Sequence, residues 1–373
     1  MRILHTADWH LGKTLMNRSL IDDQEFVLKE FLRFVDDVKP HAILISGDIY
    51  DRADPSTDAV KLFDEILFKL TEKKLPVLCI AGNHDNATRL DFGSRLFADK
   101  KFFIIANTAF EPKTIPISDD FGEIYFSLIP YFDPADIREK FFTKDSPRMT
   151  FDAANKFYIE QARKNIPAGK RSVAIAHVFV EGGEESDSER KIVGTAGKVS
   201  AKIFSGYDYV ALGHLHSPHT PEGAPENIRY AGSILKYSAK ESEHKKGVTF
   251  VELDKNGLVS PPKNIEFSPK HDLIRISGTL AEFKAQTPNN AYAYVTLTDD
   301  EFVYDAAQKL RDVFPNLMEA KNKTRPTSMI SDIPRKIRDG STIFEQFSDF
   351  FEAMTHRPLN DDEKSAMKEI CGG

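Results

Sequence analysis

Cysteine is almost missing from this chain of 373 residues, which carries two. Cys79 lies in the apolar run "PVLCIAG" and reads as a small buried hydrophobe, while Cys371 stands near the end. Neither builds a disulfide framework, so a reducing cytoplasm is the expected compartment. Also missing are an apolar run long enough to span a bilayer and a signal-peptide pattern ahead of "MRILHTADWH", so no membrane association is expected. No G-x-x-x-x-G-K-[ST] occurs: "VGTAGKVS" has neither the first glycine at the required spacing nor a hydroxyl residue after Lys198, and no nucleotide site is expected. Positive charge is in deficit, with 50 Lys and Arg against 57 Asp and Glu and a net charge of −7. That balance argues against whole-surface attraction to nucleic acid, while local charge and bound cations still set the sign at a groove.

What is present is ordinary in bulk and ordered in detail. Hydrophobic residues make up 41% and charged residues 29%, the balance of a soluble globular protein. The length predicts two domains, or one large domain with appendages. The first hundred or so residues alternate. "RILHTAD", "AILISGD" and "PVLCIAG" read as strands; Asn17 to Val38 and "PSTDAVKLFDEILFKLTEKK" read as amphipathic helices. The strands are continuous apolar runs, as expected where both faces of a sheet are covered. Later apolar segments, from "FFIIAN" to "GVTFVEL", extend an α/β core with further β structure over residues 1–258. "VSPPKNIEFSPK" reads as a linker over 259–270. A small α/β module is expected over 271–333, with strands at "HDLIRISG" and "AYAYVTL" and a helix at "DAAQKLRDVF". After a break around Pro334 and "RDGS", residues 341–373 carry two capping boxes, Thr342 with Glu345 and Asn360 with Glu363. Ile343, Phe344, Phe347, Phe350, Phe351 and Met354 recur at helical spacing in this tail. The stripe either docks on the protein's own core or is presented to a partner.

The chemistry gathers at the carboxyl ends of the expected strands, where sites of open α/β sheets form. "ADWHLG" delivers Asp8 and His10, "SGDIYD" delivers Asp48, and "AGNHD" delivers Asn83, His84 and Asp85. "SVAIAH" delivers His177, and "YVALGHLH" delivers His214 and His216. A lone His after a strand is usually a hydrogen-bonded structural residue, and a lone Gly-Asp is usually a turn. Here five of the eleven histidines fall at such strand ends together with Asp and Asn, all oxygen and nitrogen ligands for hard or borderline cations. D-x-H and H-x-H each place two side chains on one side of an extended chain. A metal centre is the expectation.

The ordered pattern D-x-H, G-D, G-N-H-D, H, G-H-x-H resembles that of the calcineurin-like metallophosphoesterases. "DWHLG", "GDIYD", "AGNHD", "SDSER", "DYVALGHLH" and "RYAGSILKYS" are similar to segments of the SbcD group, the bacterial double-strand-break repair nucleases. The resemblance covers the whole phosphoesterase core and extends in architecture to a cap and a C-terminal helix–loop–helix. It implies an α/β metallophosphoesterase core, a layered β-sandwich flanked by helices, with a small α/β cap domain. It also implies two Mn²⁺ ions, with Mg²⁺ or another divalent metal as alternatives. Asp8, His10, Asp48 and His216 would hold one ion, and Asp48, Asn83, His177 and His214 the other, with Asp48 bridging ions about 3.5–4 Å apart. His84 would stabilise the transition state and protonate the leaving 3′ oxygen, and Asp85 would orient its ring. Asp51 stands where eukaryotic and archaeal relatives carry a second catalytic histidine.

Lys13, Arg18, Arg52, Arg89 and Arg95 follow closely on these motifs and are candidates for phosphate-backbone contact. The loop "EGGEESDSERK" after His177 is expected to be exposed. The resemblance implies a partner, an SbcC-type SMC-like ATPase, to which Phe344, Phe347, Phe350, Phe351 and Met354 would dock, and a homodimer within a heterotetramer. The leading expectation is a Mn²⁺-dependent DNA nuclease acting as 3′–5′ double-strand exonuclease and single-strand or hairpin endonuclease in nucleoid-associated DNA repair, recombination and replication. A small-molecule phosphoesterase with the same metal chemistry and a non-catalytic subunit bridging DNA ends are the alternatives.

Overall fold

The computed structural model describes residues 1–109, 111–143, 145–189, 197–323, 342–355 and 357–371, without the side chains of residues 353, 354, 368, 369 and 371. Arg190, the break around Pro334 and the side chain of Met354 therefore lie outside the described part. Two compact units divide at Ile274.

The first unit runs β1 (Arg2–Thr6), α1 (Ile21–Val38), β2 (Ala42–Ser46), α2 (Thr57–Glu72), β3 (Val77–Ile80) and β4 (Phe102–Ile105). It continues with β5 (Thr114–Asp119), β6 (Gly122–Ile129), α3 (Pro134–Phe141), α4 (Phe151–Arg163), β7 (Arg171–His177), β8 (Tyr209–Gly213) and β9 (Ile228–Tyr230). β10 (Gly247–Asp254), β11 (Gly257–Leu258) and β12 (Lys263–Glu266) follow. One sheet has the order β11-β10-β1-β2-β3-β4 with β12 also paired to β10; the other has the order β9-β8-β7-β6-β5. β1 to β4 run parallel, as do β6 to β9.

The inner faces of both sheets share one core: Ile3, Leu44, Leu78 and Ile80 meet Phe126, Leu128, Val173, Ile175 and Ala211. The opposite face of the second sheet packs Ala174, Ala176, Val210 and Leu212 with Tyr158 and Ile159 of α4. Strands covered on both faces have no polar side to show, which is why β2, β3 and β8 read as unbroken apolar runs. The parallel strand ends of both sheets meet where glycine permits it. A Cβ at Gly82 would fall 2.1 Å from Asp48 Oδ1, and one at Gly213 would fall 1.9 Å from the Ser46 carbonyl oxygen.

Three expectations change. Helix α1 starts at Ile21, because Met16 and Asn17 take positive φ in a tight turn and Arg18–Ser19 pair with Thr14–Leu15. Within the stretch read as a linker, Lys263–Glu266 pair with Gly247–Phe250; its lysine and exposed positions suit the outside of a sheet. The helix read at "DAAQKLRDVF" is confined to Ala306–Leu310. Further along the chain Leu273–Gly278, Tyr292–Leu297 and Leu317–Asn322 form a three-stranded sheet. The tail forms α5 (Ile343–Thr355) and α6 (Asp361–Cys371). Both expected capping boxes are present: Thr342 N–H donates to Glu345 at 2.8 Å, and Glu363 N–H donates to Asn360 Oδ1 at 2.8 Å.

Candidate metal centre

Four of the seven expected ligands sit in unusual turns beyond their strands, while His177 is the last residue of β7. β1 ends at Thr6 and β8 at Gly213, so the D-x-H and H-x-H pairs lie past the strands, and alternation along an extended chain is not what aligns them. Instead Asp8, His10, Asp48 and His214 adopt φ of 52°, 44°, 50° and 106°, a region that side-chain-bearing residues rarely enter and that clusters at functional sites. Backbone bonds hold these turns together: Asp8 N–H to the Gly47 carbonyl and His10 N–H to the Asp48 carbonyl, both at 3.0 Å. The Asp8 carboxylate in turn accepts the His214 N–H at 3.0 Å.

The side chains converge. Among the described residues, Asp8, His10 and His216 form one grouping with ligand atoms all within 4.8 Å, Asp8, Asp48 and His177 a second, and His10, Asp48 and His84 a third. Asn83 Oδ1 lies 3.0 Å from His177 Nε2 and 2.8 Å from His214 Nδ1. All of the Asp and His residues expected as ligands are buried, and Asn83 is half-buried.

These contacts fit a cation. The Ser46 carbonyl, 2.8 Å from His177 Nδ1, can only accept, so Nδ1 carries the hydrogen. A neutral His177 then turns a bare Nε2 toward Asn83 Oδ1 and, at 3.5 Å, Asp48 Oδ2. His10 Nε2 and His216 Nε2 face each other at 3.0 Å. Electron-rich atoms this close need a proton or a cation between them. Without a cation, protons are drawn in: burial opposes charge on His177, but Asp48 overrides it and pushes the ring up to about 9. Burial pushes Asp8 up to about 7. His10 and His214 are held down near 3 by burial, so their lone pairs are free at neutral pH. Divalent ions at this place would take over the balancing role of those protons.

His84 stands beside the cluster, with Nδ1 2.7 Å from the Asp51 carbonyl oxygen and its ring 4.7 Å from that of His10. Asp85 does not touch that ring as expected. Its carboxylate accepts the backbone N–H groups of Gly82, Ile49 and Tyr50 at 2.9, 3.1 and 2.9 Å. These three amides are its hydrogen-bond partners, and the His84 ring instead meets the Asp51 carbonyl. The Asp51 side chain is taken by Lys13 at 2.7 Å.

Several supporting residues were not singled out for the site, although Ser188 and Glu189 lie in "SDSER" and Tyr237 in "RYAGSILKYS". Gln24 donates to the carbonyls of Trp9 and His10 at 3.1 and 2.7 Å and to Tyr237 OH at 3.1 Å. Ser188, Glu189, Glu241 and Lys246 surround His216. The site residues they touch are distant in sequence, so no local pattern assigns them these contacts. Trp9 is fully buried, edge-on to Phe31 and Phe63, and forms a wall. Of the expected DNA contacts, Lys13 is half-buried beside the site, while Arg18, Arg52, Arg89 and Arg95 are exposed. Arg52 approaches Asp51 at 3.7 Å, and Arg89 pairs with Asp54. In the tail Phe344, Phe347 and Phe351 are half-buried and Phe350 is exposed.

A family model described as calcineurin-like phosphoesterase matches residues 1–218, and one described as type 5 capsule protein repressor C-terminal domain matches residues 269–355. A Staphylococcus epidermidis protein named as the D subunit of nuclease SbcCD is 32% identical over 99% of this chain and 98% of its own length. The chain belongs to the SbcD-type nuclease subunits of the calcineurin-like phosphoesterases. Among solved structures, TT1561 of Thermus thermophilus aligns with a TM-score of 0.42 at 15% identity over 70% of this chain and 98% of that one. A dimetal phosphatase from Danio rerio aligns at 0.40 and 13% identity over 72% and 99%. Membership of this SbcD-type family makes the chain a metallophosphoesterase, with divalent metal implied by the fold. No helix among the described residues is long and apolar enough to cross a membrane.

Proposed function

We propose that this chain is a Mn²⁺-dependent DNA nuclease, cutting double strands as a 3′–5′ exonuclease and hairpins or single strands as an endonuclease in DNA end processing. The observation that carries the reading is the convergence of five strand ends on one buried set of Asp, Asn and His donors, with His84 beside it. Asp8, His10, Asp48 and His216 hold one ion, and Asp48, Asn83, His177 and His214 the other. The carboxylate and carbonyl oxygens accommodate Mn²⁺ beside imidazole donors, whereas Mg²⁺ favours an all-oxygen shell. The metal pair supplies charge neutralisation at the phosphate and an acidified water.

The chain's own groups do the rest. His84 fixes Nδ1–H on the Asp51 carbonyl, which leaves Nε2 as the ring atom that can hand a proton to the leaving 3′ oxygen. Asp85 acts on the backbone alone: it locks the turn of Gly82 to the exit of β2, which sets where Asn83 and His84 point. Lys13, Arg18, Arg52, Arg89 and Arg95 contact phosphates flanking the cut. The module over 271–333 caps the DNA. α5 presents its Phe-rich face to an SbcC-type ATPase, which brings the ATP dependence; a homodimer of this chain sits within the resulting heterotetramer, in the nucleoid-bearing cytoplasm. The similarity along the whole chain to a relative named as part of nuclease SbcCD supports DNA over a small ester.

The test is cleavage by the purified chain with Mn²⁺ or EDTA, on a labelled hairpin, a blunt duplex and p-nitrophenyl phosphate in parallel. DNA cleavage that needs Mn²⁺, with little p-nitrophenol released, is expected. Efficient turnover of the small ester with DNA untouched would overturn the substrate, and DNA bound but uncut in Mn²⁺ would favour a bridging role without catalysis.

A further inference from the structure

We propose that Ser188 is a positioning residue for His216: its hydroxyl, tethered to the buried Glu241, holds the imidazole in the tautomer that turns a bare Nε2 toward the metal centre. The inference rests on the reading of that centre given above. Ser188 Oγ lies 2.6 Å from His216 Nδ1 and donates to Glu241 Oε1. A hydroxyl has one hydrogen, and a carboxylate can only accept. Glu241 is kept a carboxylate by Lys246, whose Nζ lies 2.6 Å from Oε2. The serine hydrogen is therefore committed to Glu241, and Ser188 is left to accept from His216 Nδ1–H. Nε2, 3.0 Å from His10 Nε2, then carries a lone pair.

The arrangement is built, not incidental. Glu241 Oε1 stands 3.6 Å from His216 Nδ1, too far for a hydrogen bond, and Ser188 bridges the gap. Glu189 fastens the Ser188 loop to the same strand end: one oxygen accepts the His216 N–H at 2.9 Å, the other accepts the Ser186 N–H at 2.6 Å and its hydroxyl at 2.7 Å. Lys246 also donates to the His216 carbonyl at 2.7 Å. Because Lys246 neutralises Glu241, the relay orients the ring while adding no net charge beside the ions. A buried ion pair is weak evidence for stability, since apolar packing of the same volume does as well. Its place behind a ligand gives it a use, as hydrogen-bonded partners of metal-bound histidines set tautomer and orientation.

Ser188→Ala is the decisive variant, since it leaves the Glu241–Lys246 pair intact where Glu241→Gln would strand an ammonium. Ser188→Thr, which keeps the hydroxyl, is its rescue. The readouts on the full chain are the nitrogen-15 shifts of the His216 ring without metal and calorimetric titration with Mn²⁺ alone. Ser188→Ala is expected to mix the two His216 tautomers and to weaken one Mn²⁺ site by about 10–100-fold, with Ser188→Thr recovering both. An unchanged tautomer and affinity in Ser188→Ala, or a Ser188→Thr variant no better than alanine, would overturn the relay. If the wild-type chain takes up no Mn²⁺, the reading of the centre fails instead, and the shifts of the metal-free ring still decide the relay.

Discussion

At the scale of the residue, His84 and Asp85 are neighbours with unrelated duties. His84 gives one ring nitrogen to the Asp51 carbonyl, and in the proposed mechanism the other is its catalytic atom. Replacing it with Gln should lower DNA cleavage by about 10²–10⁴-fold while calorimetry finds the Mn²⁺ stoichiometry unchanged; a variant that still cleaves at the wild-type rate would remove His84 from the mechanism. Asp85→Ala should instead cost stability. It strands three buried amide donors, each worth about 1–3 kcal/mol when unsatisfied, and the denaturation midpoint should fall clearly. A stable Asp85→Ala chain with cleavage lost would restore the ring-orienting role. Asp8, His10, Asp48, Asn83, His177, His214 and His216 were legible because Asp and His are scarce at the ends of apolar runs. The duty of Asp85 was not, because a carboxylate after a histidine looks the same whether it faces the ring or the backbone. The contact of Ser188, inside "SDSER", and of Glu241 with His216 stayed hidden for another reason: 53 residues separate the two, and only folding sets them against that ring.

At the scale of the element, apolar strands were read correctly where burial is complete, and the errors fall where it is not. Lys263–Glu266 are exposed or half-buried, and a strand without an apolar stripe has the composition of a linker. Local turns shortened α1, since Met16 and Asn17 bend before the helical spacing takes hold. The second sheet is also held by charge. Asp119, at the end of β5, takes the Arg171 guanidinium at 3.0 and 2.5 Å at the start of β7, with both side chains buried. Burial opposes the Asp119 charge, and the Arg171 pair overrides it and holds the carboxyl well below the usual range. The folded state thus binds this proton less tightly than the unfolded chain does. Its stabilisation is present above about pH 4 and lost as pH falls through the lowered value. Asp119→Asn should cost about 3 kcal/mol at pH 7 and flatten the acid limb of a stability–pH curve. An unaltered limb would show that the pair contributes nothing.

At the scale of the whole molecule, the phosphoesterase core announces itself because its ligands recur in a fixed order, whereas the tail offers only an amphipathic pattern. α5 leaves Ile343 70% exposed and Phe350 47% exposed, an apolar face available to a partner. Truncation after Asp339 should abolish co-purification with an SbcC-type ATPase and spare metal-dependent cleavage by the chain alone; a truncated chain that still co-purifies would place the docking surface elsewhere. The central claim, that strand ends of both sheets build one two-ion centre, is tested most directly by anomalous diffraction at the manganese edge from crystals of the full chain grown with Mn²⁺. Two peaks sharing Asp48 are expected, one held by Asp8, His10 and His216, the other by Asn83, His177 and His214, with His84 bound to neither. A single peak, or an ion ligated by His84, would contradict it.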